Sequence, residues 1–146
     1  MSAGQTGSRR VLVVCLGNHC RSPLGAAALA RYGSPGTEVQ SAGLAGKHRG
    51  RAAHPAITEA AAALGYDLAG HLGAQVTAQM LDCADLVLAM DSAVLGQLRT
   101  LTAGRARPEL RLYAEGCDVP DPWGMDAPAF AACARLIEEA ARQQAV

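Results

Sequence analysis

The sequence predicts a three-layer, doubly wound α/β fold, in which helices cover both faces of a parallel sheet. Short apolar segments of strand length alternate with longer helical segments in the order β-α-β-α-(α)-β-α-β-α. Half of the residues are hydrophobic but only 3% are aromatic, so the core is built mainly from Ala, Leu and Val, which suits helices packed closely on a sheet. Parallel strands need crossover connections, and right-handed βαβ units provide them.

The predicted strands are of two kinds, buried and nearer the edge. RRVLVVCL at 9–16 is continuously apolar after its arginines, as expected for a strand covered on both faces. ADLVLAM at 84–90 and ELRLYA at 109–114 have the same character. TEVQSAG at 37–43 alternates apolar and polar residues before a glycine, which predicts a strand nearer the edge of the sheet.

The helical segments carry start and stop signals. SPLGAAALARYG at 22–33 predicts a helix with Ser22 as the N-cap, Pro23 at the first helical position and Gly33 as the stop. HPAITEAAAALGYD at 54–67 and DSAVLGQLRTL at 91–101 are also predicted to be helical. A last helix has Asp126 as its cap and an apolar face of Phe130, Cys133, Ala134, Ile137, Ala140 and Ala141.

The length of 146 residues predicts one domain spanning 1–146, with residues 1–8 flexible. Thirteen basic and thirteen acidic residues cancel, which argues against a nucleic-acid partner. No signal-peptide core or membrane-spanning apolar window occurs, so no membrane insertion is expected. The five cysteines are scattered, which favours reduced thiols and a cytoplasmic protein, and no paired ligand spacing indicates a metal site.

A polar turn follows the first strand, at the edge of the sheet where doubly wound folds bind ligands. Gly17 and Asn18 tolerate left-handed backbone, so the turn can curl with its amides facing inward as an anion nest. The N-terminus of the following helix adds unpaired amides and partial positive charge. A phosphate group fits this cradle, whose candidate ligands are Leu16, Gly17, Asn18, His19, Cys20, Arg21 and Ser22.

Two side chains of this turn could carry chemistry. Arg21 can fork onto two phosphate oxygens, a geometry that lysine does not copy. The positive field favours the thiolate of Cys15, which makes this residue a candidate nucleophile. Alternatively, Cys15 is a small buried hydrophobe at the end of a strand, and the spacing from Cys to Arg does not by itself exclude this. The strand before the turn and the Ser-Pro helix start after it favour the cradle.

Displacement of an alkoxide or phenoxide from phosphorus requires an acid that protonates the leaving oxygen. The segment CDVPDPWGMDAP offers Asp118, Asp121 and Asp126 after the last strand. Pro120 and Pro122 flank Asp121 and keep its backbone extended, so its carboxylate is the candidate acid. Asp126 is the predicted cap of the last helix, and a loop aspartate can also be a simple turn former.

These motifs resemble the low-molecular-weight protein tyrosine phosphatases. The segment 15–23 is similar to the signature loop of that family, and DPW at 121–123 resembles its Asp-Pro-Tyr acid loop. SAG at 41–43, GH at 70–71 and DLVLAMD at 85–91 follow in the order of the family. Within the family, the sequence most resembles the bacterial branch that dephosphorylates tyrosine autokinases of exopolysaccharide assembly.

The resemblance implies a four-stranded parallel sheet in the order 2-1-3-4 and hydrolysis of phosphotyrosine in proteins through a phosphocysteine. Cys15 would be the nucleophile, Arg21 would bind the phosphate and the transition state, and Asp121 would act as acid and then as base. The family needs no metal or other cofactor. It implies a phosphotyrosine protein as partner, possible pairing with a tyrosine autokinase, and a monomer or weak dimer.

The resemblance also implies supporting roles around the nucleophile. Asn18 would hold the loop in its strained shape, Ser22 would donate a hydrogen bond to the thiolate, and His71 would orient Ser22. Cys20 would form a reversible disulfide with Cys15 under peroxide. Apart from the resemblance, the aromatic side chain of Trp123 is expected to stack on the substrate ring.

The sequence departs from the family pattern at several positions. LGAQ at 72–75 replaces a run that usually contains arginine, and Trp123 stands where the family often has tyrosine. His19 replaces a loop residue that is commonly aliphatic. The segment 47–51, KHRGR, is either a solvated loop or a basic rim that attracts acidic residues around phosphotyrosine.

Two other classes of protein share parts of this pattern. Thioredoxin-coupled arsenate reductases have a similar loop but need a further redox pair of cysteines, whereas this chain has Cys83 and then Met90. A non-catalytic phosphotyrosine-binding module would keep Arg21 and have no use for the acid Asp121. Both are retained as alternatives to the phosphatase.

Overall fold

A four-stranded parallel sheet forms the centre of the protein, in a computed structural model that describes residues 9–144 and 146. The strand order is β2-β1-β3-β4, as predicted. Residues 1–8, predicted to be flexible, lie outside the described residues. The strands are β1 (Arg10–Cys15), β2 (Glu38–Gly43), β3 (Leu86–Ala89) and β4 (Glu109–Leu112).

The two central strands are the buried ones. In β1 every residue after Arg10 is buried, and β3 is buried throughout, because helices cover both of their faces. β2 and β4 lie at the edges: β2 alternates between exposed and partly buried positions over its first four residues, whereas β4 is exposed at Glu109 and partly buried after it. The prediction of an edge position for the segment 37–43 is therefore confirmed.

Five helices flank the sheet: α1 (Arg21–Tyr32), α2 (Pro55–Ala63), α3 (Ala78–Cys83), α4 (Ser92–Leu101) and α5 (Ala127–Gln143). Alternate side chains of β1 enter two separate cores. Val11 and Val13 pack with residues of α1, α2 and α5, whereas Leu12 and Val14 pack with residues of α3 and α4. This arrangement confirms the predicted three layers.

The last helix follows its predicted pattern closely. Asp126 caps α5 by accepting a hydrogen bond from the Ala129 amide, as expected. Its buried face comprises Phe130, Cys133, Ala134, Ile137, Ala140 and Ala141, the predicted set. Complete burial of Ile137 contributes about 1.5–3 kcal/mol to folding. Of the helices in the described part of the chain, none is long and apolar enough to cross a membrane.

The start of α1 differs from the prediction. Cys20 occupies the N-cap position and makes no capping bond through its side chain, so Pro23 is the third helical residue rather than the first. The predicted cap, Ser22, is buried and bonds to Cys15 and Asn18 instead. A contact between residues on different elements has overridden the local capping preference of serine. The predicted stop at Gly33 is confirmed.

Candidate active site

The turn between β1 and α1 is a compact loop with unpaired amides. Cys15 ends the strand and Arg21 begins the helix. Asn18 has a left-handed backbone (φ 52°), whereas Gly17, the other residue expected to allow this, is not among those with positive φ. In the described residues, the amides of Leu16, Gly17, His19 and Cys20 donate to no backbone acceptor. They are available to an anion, as the cradle hypothesis requires.

The Cys15 thiol receives a directed set of hydrogen bonds. Its Sγ lies 3.0 Å from Ser22 Oγ and accepts from the Asn18 amide at 3.3 Å. Because Asn18 Nδ2 already donates to Ser22 Oγ at 2.7 Å, the hydroxyl hydrogen of Ser22 is free to point at Sγ. Both groups can therefore donate a hydrogen bond to the sulfur.

Asn18 connects this loop to two other segments, β2 and residues 71–74. Its Nδ2 also donates to Ser41 Oγ at 3.0 Å, and its Oδ1 accepts from the Ala74 amide at 2.8 Å. Its carbonyl accepts from His71 Nε2 at 3.0 Å. His71 contacts the backbone carbonyl of Asn18, and Asn18 Nδ2 in turn contacts Ser22, so an influence of His71 on Ser22 would pass through Asn18 and its orienting role stays a prediction. These bonds offset the cost of the left-handed backbone.

The loop rests directly on the end of β2 at Gly43. A Cβ added at Gly43 would lie 2.6 Å from the Gly17 carbonyl carbon and 2.7 Å from the Asn18 nitrogen. Both are backbone atoms, so no side chain could move aside, and only glycine fits this position. The SAG motif is visible in the sequence, but the bond from Asn18 to Ser41 and the close approach of the loop to Gly43 were not predicted.

Arg21 is held in place by Asp91. Its Nη1 donates to Asp91 Oδ2 at 2.7 Å and to the Val119 carbonyl at 2.8 Å. Burial disfavours the charge, but the hydrogen bond to Asp91 and the nearby Cys15 and Asp121 raise the pKa of Arg21. Burial likewise opposes the charge of Asp91, whose pKa is nevertheless lowered by the bond to Arg21.

Asp91 was missed as a site residue. It caps α4 by accepting from the Val94 amide at 2.8 Å, and it lies just after β3 at the carboxyl edge of the sheet. An aspartate at a helix start on this edge was the available signal. Its second contact, to Arg21, joins residues 70 positions apart and is not visible in a local pattern.

The three aspartates of the acid loop have separate places. Asp118 accepts from the Ser92 amide and hydroxyl at 2.9 and 2.7 Å, and Asp126 caps α5. Asp121 alone of the three lines the cleft that contains Cys15. Its Oδ1 accepts from the Trp123 amide at 3.0 Å, and its Oδ2 lies 3.7 Å from Arg21 Nη2. The geometry therefore favours Asp121 as the acid.

The cleft has a volume of about 310 Å³ and opens above the loop. Asn18 and Ser22 support its floor without lining it. Trp123 and Lys47 stand at its mouth, with Lys47 Nζ 5.7 Å from the centroid of the Trp123 ring. The lining residues are Cys15, Leu16, Gly17, His19, Cys20, Arg21, Ala45, Lys47, His48, Asp121 and Trp123.

The predicted redox partner, Cys20, lines the same cleft as Cys15. Both thiols are free and buried. Burial, with smaller effects from Cys133 and Asp121, raises the pKa of Cys20. Cys20 is therefore a thiol at neutral pH, and its pairing with oxidised Cys15 stays a prediction.

Histidine rings pack around the loop. His48 stacks on His19 with centroids 3.8 Å apart, and His54 meets His19 edge-on at 5.2 Å. The His54 amide also donates to the His19 carbonyl at 2.8 Å. Burial and the imidazoles of His48 and His54 lower the pKa of His19, and burial and the charges of Lys47 and Arg51 lower that of His48. Both rings are therefore neutral at pH 7.

This packing predicts a loss of stability in mild acid. The unfolded chain binds protons at His19 and His48 more readily than the folded one, so stability is complete above pH 6.5 and falls as the pH drops below it. His48→Phe keeps an aromatic ring that can stack on His19 and removes one of the two titrating imidazoles. In urea unfolding at about pH 7.5 and about pH 5.0, the variant should lose less stability than the wild type. Equal losses would contradict the prediction.

Comparison with known proteins identifies the family. Residues 10–145 match the family model described as low molecular weight phosphotyrosine protein phosphatase. The chain is 38% identical over 141 residues to the low molecular weight protein-tyrosine-phosphatase Etp of Escherichia coli strain K12, covering 92% of this chain and 91% of Etp. It is 36% identical over 138 residues to Wzb of the same strain, covering 92% of each.

Solved structures agree with this result. Vibrio vulnificus Wzb in complex with benzylphosphonate superimposes with a TM-score of 0.84 at 32% identity, covering 92% of this chain and 94% of that one. The chain belongs to the low molecular weight phosphotyrosine protein phosphatase family. The predicted family, fold and enzyme class are confirmed.

Proposed function

We propose that this protein hydrolyses phosphotyrosine in other proteins through a phosphocysteine at Cys15. The observation that carries the proposal is the position of Cys15 Sγ beside unpaired loop amides, in one cleft with Arg21 and Asp121. The amides and guanidinium bind an anion, the sulfur is a nucleophile, and the carboxyl group is a proton donor. A reaction at phosphorus uses all three groups.

In the first step, the Cys15 thiolate attacks phosphorus and the bond to the tyrosine oxygen breaks. Asp121, in its protonated form, gives its proton to the departing oxygen. Nη1 of Arg21 is engaged by Asp91 and Val119, which leaves the edge formed by Nε and Nη2 for two phosphate oxygens. The loop amides stabilise charge on the transferring group.

In the second step, water attacks the phosphocysteine and the Cys15 thiolate leaves. The Asp121 carboxylate accepts the proton of this water, which restores its acid form and releases inorganic phosphate. The bond from Ser22 stabilises the departing sulfur as an anion. No metal or other cofactor takes part in the proposed reaction.

The proposed physiological partner is a bacterial tyrosine autokinase of exopolysaccharide assembly, met in the cytoplasm by a monomer or weak dimer of this protein. The support is the motif resemblance and the bacterial sources of Etp and Wzb. The proposal also includes a single domain that spans residues 1–146 and a reversible disulfide between Cys20 and Cys15. Trp123 is placed at the mouth of the cleft, where it can contact the tyrosine ring.

The test is to trap the covalent intermediate. Mixing the protein with a phosphotyrosine peptide in the presence of a chelator and quenching with acid should give a phosphorylated peptide containing Cys15, with release of inorganic phosphate. A non-catalytic binding module would bind the peptide and release no phosphate. Arsenate reduction coupled to thioredoxin, without hydrolysis of the peptide, would favour the arsenate reductase instead.

A further inference from the structure

The segment Lys47–Arg51, here called the basic segment, borders the cleft. Lys47 and His48 line the same cleft as Cys15 and Arg21, and the ammonium group of Lys47 lies over the ring of Trp123. Arg51 is exposed and close enough for its charge to lower the pKa of His48. Positive charge is therefore concentrated on one side of the opening.

The charges of the basic segment have no acidic partner among the described residues. No carboxylate lies within 4.0 Å of Lys47, Arg49 or Arg51 there, whereas Arg105 and Arg107 each pair with an aspartate. The whole chain carries a formal net charge of +0, so this excess is local. An anion bound at the segment would therefore not have to displace a carboxylate from these side chains.

Backbone contacts hold the basic segment in place. The Gly50 amide donates to the Gly73 carbonyl and the Gly73 amide to the Arg51 carbonyl, both at 2.8 Å. A Cβ at Gly73 would lie 2.2 Å from the His48 carbonyl oxygen, so this approach requires glycine. The stack of His48 on His19 joins the segment to the loop. Binding an anion here therefore requires little ordering of the backbone.

We propose that the basic segment is a subsite for a carboxylate side chain next to the phosphotyrosine of the substrate protein. This inference rests on the proposed function, because the phosphotyrosine must occupy the cleft. An extended peptide advances about 3.3–3.6 Å per residue, so a glutamate or aspartate adjacent to that tyrosine reaches the mouth where Lys47 stands. Lys47 contacts its carboxylate, and Arg49 and Arg51 add longer-range attraction.

The direct test compares two phosphotyrosine peptides that differ only in Glu or Gln beside the phosphotyrosine. We expect the wild type to prefer the Glu peptide by about threefold to tenfold in kcat/KM, as exposed ion pairs allow. Lys47→Glu/Arg51→Glu should reverse the preference, and Lys47→Arg should keep it. The preference should also shrink with added salt.

The matched control is Arg99→Glu, an exposed charge reversal on the last turn of α4, at the end of that helix remote from its Asp91 cap. It should leave the Glu-to-Gln ratio unchanged. Equal kcat/KM values for the two peptides, or a ratio that ignores Lys47→Glu/Arg51→Glu, would overturn the subsite. Failure of the wild type to hydrolyse p-nitrophenyl phosphate, which has no flanking residues, would instead overturn the proposed function on which the subsite depends.

Discussion

Cys15→Ser should lower kcat for aryl phosphates by roughly 10⁴ or more, because it removes the attacking atom. Ser22 Oγ and the Asn18 amide lie within hydrogen-bonding distance of this sulfur. A serine hydroxyl there is far less acidic than a thiol and stays protonated at neutral pH. The measurement is the steady-state rate of p-nitrophenyl phosphate hydrolysis across a range of pH.

Anion binding should survive this substitution, because the loop amides and Arg21 remain. Calorimetric titration with inorganic phosphate should show binding to the Cys15→Ser protein. Cys83→Ser and Cys117→Ser are the matched controls, since both thiols are free and exposed, and neither lines the cleft. Their rates should equal that of the wild type, and a Cys15→Ser protein that keeps the wild-type rate would exclude Cys15 as the nucleophile.

Asp121→Ala should reduce kcat by about 10² to 10⁴, the usual contribution of a positioned general acid. The effect should depend on the leaving group, because a phenolate of low basicity needs little protonation. The loss should therefore be large for phosphotyrosine and smaller for p-nitrophenyl phosphate. The measurement is the pair of rates for the two substrates in the variant and the wild type.

Two neighbouring aspartates provide controls for Asp121. Asp118→Ala removes the hydrogen bonds from the Ser92 amide and hydroxyl. Asp126→Ala removes the cap of α5, which costs about 0.5–2 kcal/mol of stability. Neither carboxylate lines the cleft. A larger rate loss in either of these variants than in Asp121→Ala would reassign the acid.

Most of the fold could be predicted because each element carries its own periodic signal. The continuous apolar run of β1 and the spaced apolar face of α5 mark the residues that are buried in the folded protein. The start of α1 could not be predicted. Ser22 has a strong local preference for the cap position, but its hydroxyl is taken by Cys15 and Asn18.

The candidate site likewise combines residues that a local pattern reveals with residues that only contacts between distant elements reveal. Cys15, Arg21 and the Pro-flanked Asp121 are recognisable from residue type and spacing within short segments. Asp91 and the Asn18–Ser41 contact depend on how strands and loops meet in three dimensions, and no local pattern encodes such a meeting. The contact of His71 with the Asn18 carbonyl is of the same kind, because no local pattern shows which atom of the loop the imidazole meets.

The absence of a side chain at Gly43 has a consequence for how the site assembles. Since the turn after β1 lies against bare main chain of β2, its curvature is dictated by strand pairing between Cys15 and Gly43. The anion-binding loop therefore takes its shape when β1 pairs with β2. The folded sheet thus holds the loop in its binding shape before any substrate binds.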